Sequence, residues 1–191
     1  IEDIDSLRFA LSLIKFDVVN LQPHFPVYPI FTWSAISIHS VLNNNLLTFS
    51  IIGGFSSFII IYFVSKIFEF KIRSNEGLFV AFTLFFNPLL WIMSVRYMPD
   101  LMGISFITII IYTLTSNRGH NHIGFLCSGL LLGVRLSYLP LILPLLISNF
   151  FYSNKKNRNT LFFACGILVW LIPLIMLTGF EDLVEAARRQ T

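Results

Sequence analysis

Three stretches of the chain, 46–65, 77–95 and 160–179, contain no charged residue at all. Each matches the roughly 20 apolar residues that a helix needs to cross the hydrocarbon of a bilayer. Backbone groups in lipid must be satisfied within the segment, so such stretches are helices rather than open strands. Three shorter apolar stretches, 101–115, 123–134 and 136–152, raise the expected number of crossings to about six. The expected fold class is therefore all-α: a polytopic transmembrane helical bundle, with amphipathic interfacial helices in its first loop. Composition agrees, with 55% hydrophobic and 12% charged residues, about half the charged fraction of a soluble domain. Twenty-one phenylalanines in 191 residues are too many for one water-soluble core of this size. The two cysteines, Cys127 and Cys165, lie in apolar runs without metal-binding spacing and read as small packing residues. A scattered net charge of +3 excludes nucleic acid as a partner.

Segment 27–45 decides how the chain is threaded. No charge occurs between Asp17 and Lys66, so hydropathy permits a crossing here. Ser34, Ser37 and Ser40 recur at a spacing of three, however, and a helix with one polar face lies more naturally in the interface. With 27–45 in the plane, the loops 66–76, 116–122 and 153–159 share one side. They hold Lys66, Lys71, Arg73, Arg118, Lys155, Lys156 and Arg158, seven of the thirteen basic residues, and the positive-inside rule makes that side cytoplasmic. Glu2, Asp3, Asp5, Asp17, Asp100, Glu181, Asp182 and Glu185, eight of the ten acidic residues, then face outward. If 27–45 crosses instead, the charge rule is satisfied equally well, but Asp5 and Asp100 fall on opposite sides. The expected organisation is an extracytoplasmic first loop over 1–45, a transmembrane bundle over 46–179, and the start of a further extracytoplasmic loop over 180–191. Both ends read as cut, as in a fragment of a longer protein.

Four features carry side chains capable of chemistry. The run Ile1 to Ala10 starts acidic, and Leu7, Leu11 and Ile14 at helical spacing predict an amphipathic helix from about Asp5. Asp3 or Asp5 is either the N-cap of that helix or a general base at the membrane surface. In His24-Phe25-Pro26-Val27-Tyr28-Pro29 the prolines suit a helix start, and the histidine and tyrosine stand at its mouth. In Arg96-Tyr97-Met98-Pro99-Asp100, Asp100 either caps the next helix or joins a site. In Gly133-Val134-Arg135-Leu136-Ser137-Tyr138 two short apolar helices put the turn below the membrane surface. An arginine there either snorkels or faces an anionic headgroup, whose oxygens a guanidinium matches bidentately. In the in-plane arrangement all four features meet on the outer face.

These motifs resemble those of the integral-membrane GT-C glycosyltransferases, the superfamily of the protein O-mannosyltransferases and the lipid A aminoarabinose transferase. Its members begin their first extracytoplasmic loop with an acidic pair and a nearby aromatic, similar to Asp5-Ser6-Leu7-Arg8-Phe9. A H/K-P-P-x-Y-like segment follows, similar to His24 through Pro29. Val64-Ser65-Lys66-Ile67-Phe68, Asn87-Pro88-Leu89-Leu90-Trp91 and Arg96 to Asp100 resemble its later motifs in order. Gly129–Pro140 and Gly179–Gln190 resemble a bacterial branch of the same superfamily. The chain departs from the pattern where Ser6 replaces the second acid and Phe25 replaces one proline.

The resemblance implies an inverting transfer of sugar from a polyprenyl-phosphate donor to a hydroxyl of a glycan, lipid or protein acceptor. The reaction would take place at the extracytoplasmic face of the cell (inner) membrane. It implies Asp5 as the base, with Asp3 as substitute, and Asp100 orienting the acceptor or the first loop. Arg135 would hold the lipid phosphate, with Arg96, His24, Tyr28 and Tyr138 beside it. Monophosphate donors in this group imply no required cofactor, although a divalent metal stays open. The alternatives are a transporter or lipid flippase, or a non-catalytic membrane subunit of the same fold.

Overall fold

A computed structural model describes residues 3–71, 73–116 and 120–190; Glu2 and Arg118 lie outside the described residues. Within them the chain is all-helical, without a strand. The elements are α1 (Ile4–Ser12), α2 (Pro29–Leu42), α3 (Asn45–Ile67), α4 (Asn75–Phe85), α5 (Pro88–Val95), α6 (Asp100–Thr115), α7 (Asn121–Val134), a 3-10 turn (Leu136–Tyr138), α8 (Leu139–Tyr152), α9 (Lys156–Thr178) and α10 (Phe180–Gln190).

Two of these helices, α3 and α9, are long and apolar enough to cross a membrane. Each has 23 residues, with mean hydropathies of 2.0 and 2.5, and reaches about 34 Å. The charge-free stretch 77–95 forms a broken span instead of a straight one: α4 and α5 together qualify but meet at 51°. Pro88 causes the break. It supplies no N–H to the preceding turn and disfavours helical backbone at Asn87. Asn87 instead caps α5, its side chain accepting the Leu89 N–H at 2.9 Å. The indole N–H of Trp91 donates to the Phe85 carbonyl that the break leaves free. Among the described residues two helices, or three spans with the bent pair, are therefore long and apolar enough to cross, short of the six expected. Helices α6 and α7 and the stretch Leu136–Tyr152 are apolar but have at most 17 residues.

The threading of the bundle follows from a few contacts. Helices α3 and α6 run parallel, with Phe49 stacked on Tyr97 at 4.3 Å near one end and Phe63 against Tyr112 at 5.4 Å near the other. Helix α7 returns antiparallel to α6, placing Gly124 beside Leu114 and Gly103 beside Tyr138. Helix α9 then runs parallel to α7, with the His122 and Phe162 rings 4.9 Å apart and Trp170 Nε1 donating to the Gly129 carbonyl at 3.0 Å. Gly129 is glycine for a reason of space. A Cβ there would strike the Phe163 carbonyl and lie 2.9 Å from the Gly166 Cα. This path gathers α1, the start of α3, the α5–α6 turn and the end of α7 at one end of the bundle. The end of α3 with Lys66 and the start of α9 with Lys156 and Arg158 lie at the other.

Three expectations change. In α1 the buried face is Ser6, Phe9, Ala10 and Ser12, whereas Leu7 and Ile14 are 41% and 78% exposed. The apolar stripe read from the sequence points out of the protein, as a lipid-facing stripe does. Residues 180–190 form a helix and not merely a loop. Acidic Glu181 and Asp182 in its first turn and basic Arg188 and Arg189 in its last complement the helix dipole, and Ala186 is fully buried. Cys165 is exposed, so it is not a packing residue, while Cys127 is part-buried.

Candidate functional site

Asp3 is the N-cap of α1, accepting the Ser6 N–H at 2.7 Å. Its other oxygen accepts from Arg96 Nη2 at 2.7 Å, which ties the first loop to the α5–α6 turn across 93 residues of sequence. The Ser6 N–H above all, with the Ser6 hydroxyl and Arg96, holds the Asp3 carboxyl below its ordinary value against an opposing push from burial. A carboxylate so engaged is a poor base, and the capping account fits Asp3.

Asp5, one residue into α1, is placed differently. Its Oδ1 meets Arg8 Nη1 at 3.3 Å and His24 Nδ1 at 3.7 Å. Its side chain is 37% exposed, and among the described residues nothing bonds Oδ2. Asp5 thus offers one oxygen held by cationic or donor groups and one left open.

The loop from Leu13 to Tyr28 brings His24 to Asp5. Val27 N–H donates to the His24 carbonyl at 2.8 Å, and Val27 and Tyr28 take left-handed backbone, with φ of 72° and 47°. Such conformations are rare for β-branched and bulky residues and persist only where the surroundings enforce them. The surroundings here are aromatic. The His24 ring lies 5.3 Å from Phe9 and 5.2 Å from Tyr28, edge-on in both cases. Thr32 Oγ1 donates to the Val27 carbonyl at 2.9 Å. His24 is only 4% exposed. Burial holds it below its ordinary value, and the Asp5 carboxylate pulls the other way.

Asp100 opens α6 without capping it, since Pro99 occupies the cap position. Its Oδ1 forms an ion pair with Arg135 Nη2 at 3.1 Å and accepts from the Tyr138 hydroxyl at 3.2 Å. Arg135 terminates α7 in extended backbone and lies 5.3 Å over the Tyr138 ring, so its guanidinium is engaged by both Asp100 and Tyr138. Its Nε is buried without a hydrogen-bond partner.

The Asp5 half and the Asp100 half share one electrostatic neighbourhood. Burial raises the Tyr28 hydroxyl above its ordinary value, and Arg135, Asp5 and Asp100 all act on it besides. His24 likewise feels Arg135. All eight sequence-selected residues, Asp3, Asp5, His24, Tyr28, Arg96, Asp100, Arg135 and Tyr138, therefore gather at one end of the bundle. The pairings within that group, Asp3 with Arg96 and Asp5 with His24, had no sequence signal because their partners lie 93 and 19 residues apart. Among the described residues no group of His, Cys, Asp and Glu is set to hold a metal.

Beside the cluster an apolar recess of about 360 Å³ opens between α2, α3 and α6. Its serines, Ser34, Ser56 and Ser105, each donate to a carbonyl of their own helix, so the lining presents no free donor. Met102, half a turn past Asp100, lies at its wall. No family model matches the chain, and neither the curated proteins nor the solved structures give a match.

Proposed function

We propose that this chain is the membrane-embedded core of an inverting glycosyltransferase of GT-C type, moving a sugar from a polyprenyl-phosphate donor to an acceptor hydroxyl. The observation that carries the reading is the presence, at one end of an apolar bundle, of a half-open carboxylate at Asp5 and the guanidinium of Arg135, both of which act on His24 and Tyr28. In this reading α3, the bent α4–α5 pair, α6, α7, the 136–152 stretch and α9 make six crossings, the shorter ones lying in a locally thinned or protein-lined region. The basic loops face the cytoplasm, and the Asp5 end faces outward in the cell membrane.

The chemistry is a single displacement. Asp5 Oδ2 takes the proton of the acceptor hydroxyl as that oxygen bonds to the anomeric carbon. The bond from the anomeric carbon to the phosphate oxygen breaks, and its electron pair leaves with the lipid phosphate. Arg135, with an unused Nε donor, meets the charge that grows there. One displacement inverts the anomeric centre. Asp100 orients Arg135 and, through it, the phosphate. Tyr28 and Tyr138 stand among the same charged groups, and the recess beside Met102 takes the first units of the apolar tail.

A transporter would carry its polar residues near the bilayer midplane on broken helices, whereas these gather at the bundle end. The pairing of each carboxylate with an arginine favours a second reading, a non-catalytic subunit in which the cluster only fastens helices together. Asp5→Asn separates the two. Transfer of labelled sugar from a polyprenyl-phosphate donor should fall to background while the protein stays folded. Unchanged turnover eliminates the enzyme reading.

A further inference from the structure

The open oxygen of Asp5 needs an explanation for why Oδ1 is occupied and Oδ2 is not. Arg8 approaches Oδ1 from the same helix at 3.3 Å. His24 approaches it from the loop at 3.7 Å. The histidine is 4% exposed, and its Nδ1 has no hydrogen-bond partner. A buried polar nitrogen left unsatisfied is costly and rare, and here a carboxylate oxygen of the proposed base itself faces it at 3.7 Å. Contacts of this kind are commonly long in a ligand-free site and tighten when substrate is bound.

We propose that His24 is the positioning residue of Asp5: as the neutral Nδ1–H tautomer it closes onto Oδ1 when substrate is bound and turns Oδ2 toward the acceptor hydroxyl. The inference rests on the transferase reading for its purpose, but the pairing itself does not. His24 thereby acts on the carboxylate and not on the lipid phosphate. The box around it suits the task. Phe9 and Tyr28, themselves 5.5 Å apart, both pack edge-on against the ring, and its Nδ1 edge faces Asp5 on α1. The charged groups acting on it are Asp5, Asp3 and Arg8 on α1 and Arg135 at the end of α7.

Protonation would change the role. An imidazolium at Nδ1 forms a full ion pair with Asp5 and lowers its basicity, so transfer falls on the acid side as His24 gains its proton. Burial holds that event below the ordinary histidine value, which keeps the pair active at neutral pH. The acid limb of the rate profile is accordingly set by His24.

Two measurements on the chain in nanodiscs test this. The first needs no turnover: the His24 ring resonances are titrated in the wild type and in Asp5→Asn, with His24→Gln used to assign them. Loss of a facing carboxylate should lower the His24 midpoint by about one unit. A midpoint unmoved by Asp5→Asn overturns the pairing while leaving the transferase reading intact. The second compares pH–rate profiles. His24→Gln, which keeps a donor but cannot become charged, should retain part of the turnover and shift the acid limb down toward carboxylate values. His24→Phe should lose most of the turnover. An acid limb unchanged in His24→Gln overturns the positioning role even if the resonances shift.

Discussion

Arg135 gives the sharpest separation between a fastening role and a chemical one. Its side chain and that of Asp100 are 24% and 16% exposed. Arg135→Gln leaves the Asp100 carboxylate, among the described residues, with the Tyr138 hydroxyl as its remaining partner. Breaking a fully buried pair costs about 3–5 kcal/mol and an exposed one at most about 1 kcal/mol. At this intermediate exposure the expected loss of stability is about 2 kcal/mol. Adding Asp100→Asn removes the stranded charge and should restore about half of that loss. Turnover should behave otherwise. A donor that meets charge developing in the transition state typically contributes about 10²–10³ in rate. Arg135→Gln should therefore slow transfer roughly a hundredfold, and the double variant should stay slow although it is restabilised. Thermal unfolding in detergent and initial rates in proteoliposomes measure the two quantities on the same preparations. Recovery of rate in step with stability would refute the assignment and leave Arg135 as a fastener.

The closest helix approach offers a second test. Gly129→Ala forces α7 from α9 at the Phe163 carbonyl and should cost about 1–3 kcal/mol, read as a lowered unfolding midpoint; Gly54→Ala, whose Cβ would meet nothing within 4 Å, should leave it unchanged. The Asp3 latch predicts a pH dependence. Its folded carboxyl lies below the ordinary value of 3.8, so its contribution is present above that value and is lost as pH falls through the depressed one. Acid release of α1, followed by a fluorophore on Ile4→Cys, should disappear in Asp3→Asn; an identical acid transition in that variant would contradict the latch.

The two helices long and apolar enough to cross a membrane were legible because freedom from charge over 20 residues has few other meanings, and α3 and α9 lie where those runs lie. The break in 77–95 was also written in the sequence, as an asparagine cap followed by proline, but apolarity on both sides of Asn87-Pro88 masked it. The inner face of α1 was not legible. Leu7, Leu11 and Ile14 make one apolar stripe, and Phe9, Ala10 and Leu13 make another. In water the first would have to be buried, but next to lipid it can face outward. The residues of the site were identifiable by type and position, yet their pairings were not. Which arginine meets which carboxylate depends on α7 running antiparallel to α6 and on the first loop folding back over the α5–α6 turn. Neither leaves a local trace in the chain.

The charge balance of the cluster leads to a last prediction. Asp3, Asp5 and Asp100 stand against Arg96, Arg8 and Arg135, pair by pair, so with His24 neutral the charges of these six described residues sum to zero. A sugar phosphodiester bearing one negative charge becomes, on transfer, a lipid phosphate bearing up to two. In the proposed step Asp5 would take the acceptor's proton and lose its own negative charge. On that scheme the cluster would become positive by one unit as the phosphate becomes negative by one, and the product would be held until Asp5 gives up its proton. Asp5→Asn fixes the cluster in that state permanently. It should bind the polyprenyl phosphate product more tightly than the wild type, by on the order of 1 kcal/mol or roughly fivefold, while transferring no sugar. Equilibrium binding of a short-chain polyprenyl phosphate to both proteins at neutral pH and low salt measures the difference. Equal or weaker binding by Asp5→Asn would mean that Asp5 and the phosphate site do not share a field, and the single-displacement scheme would lose its electrostatic basis.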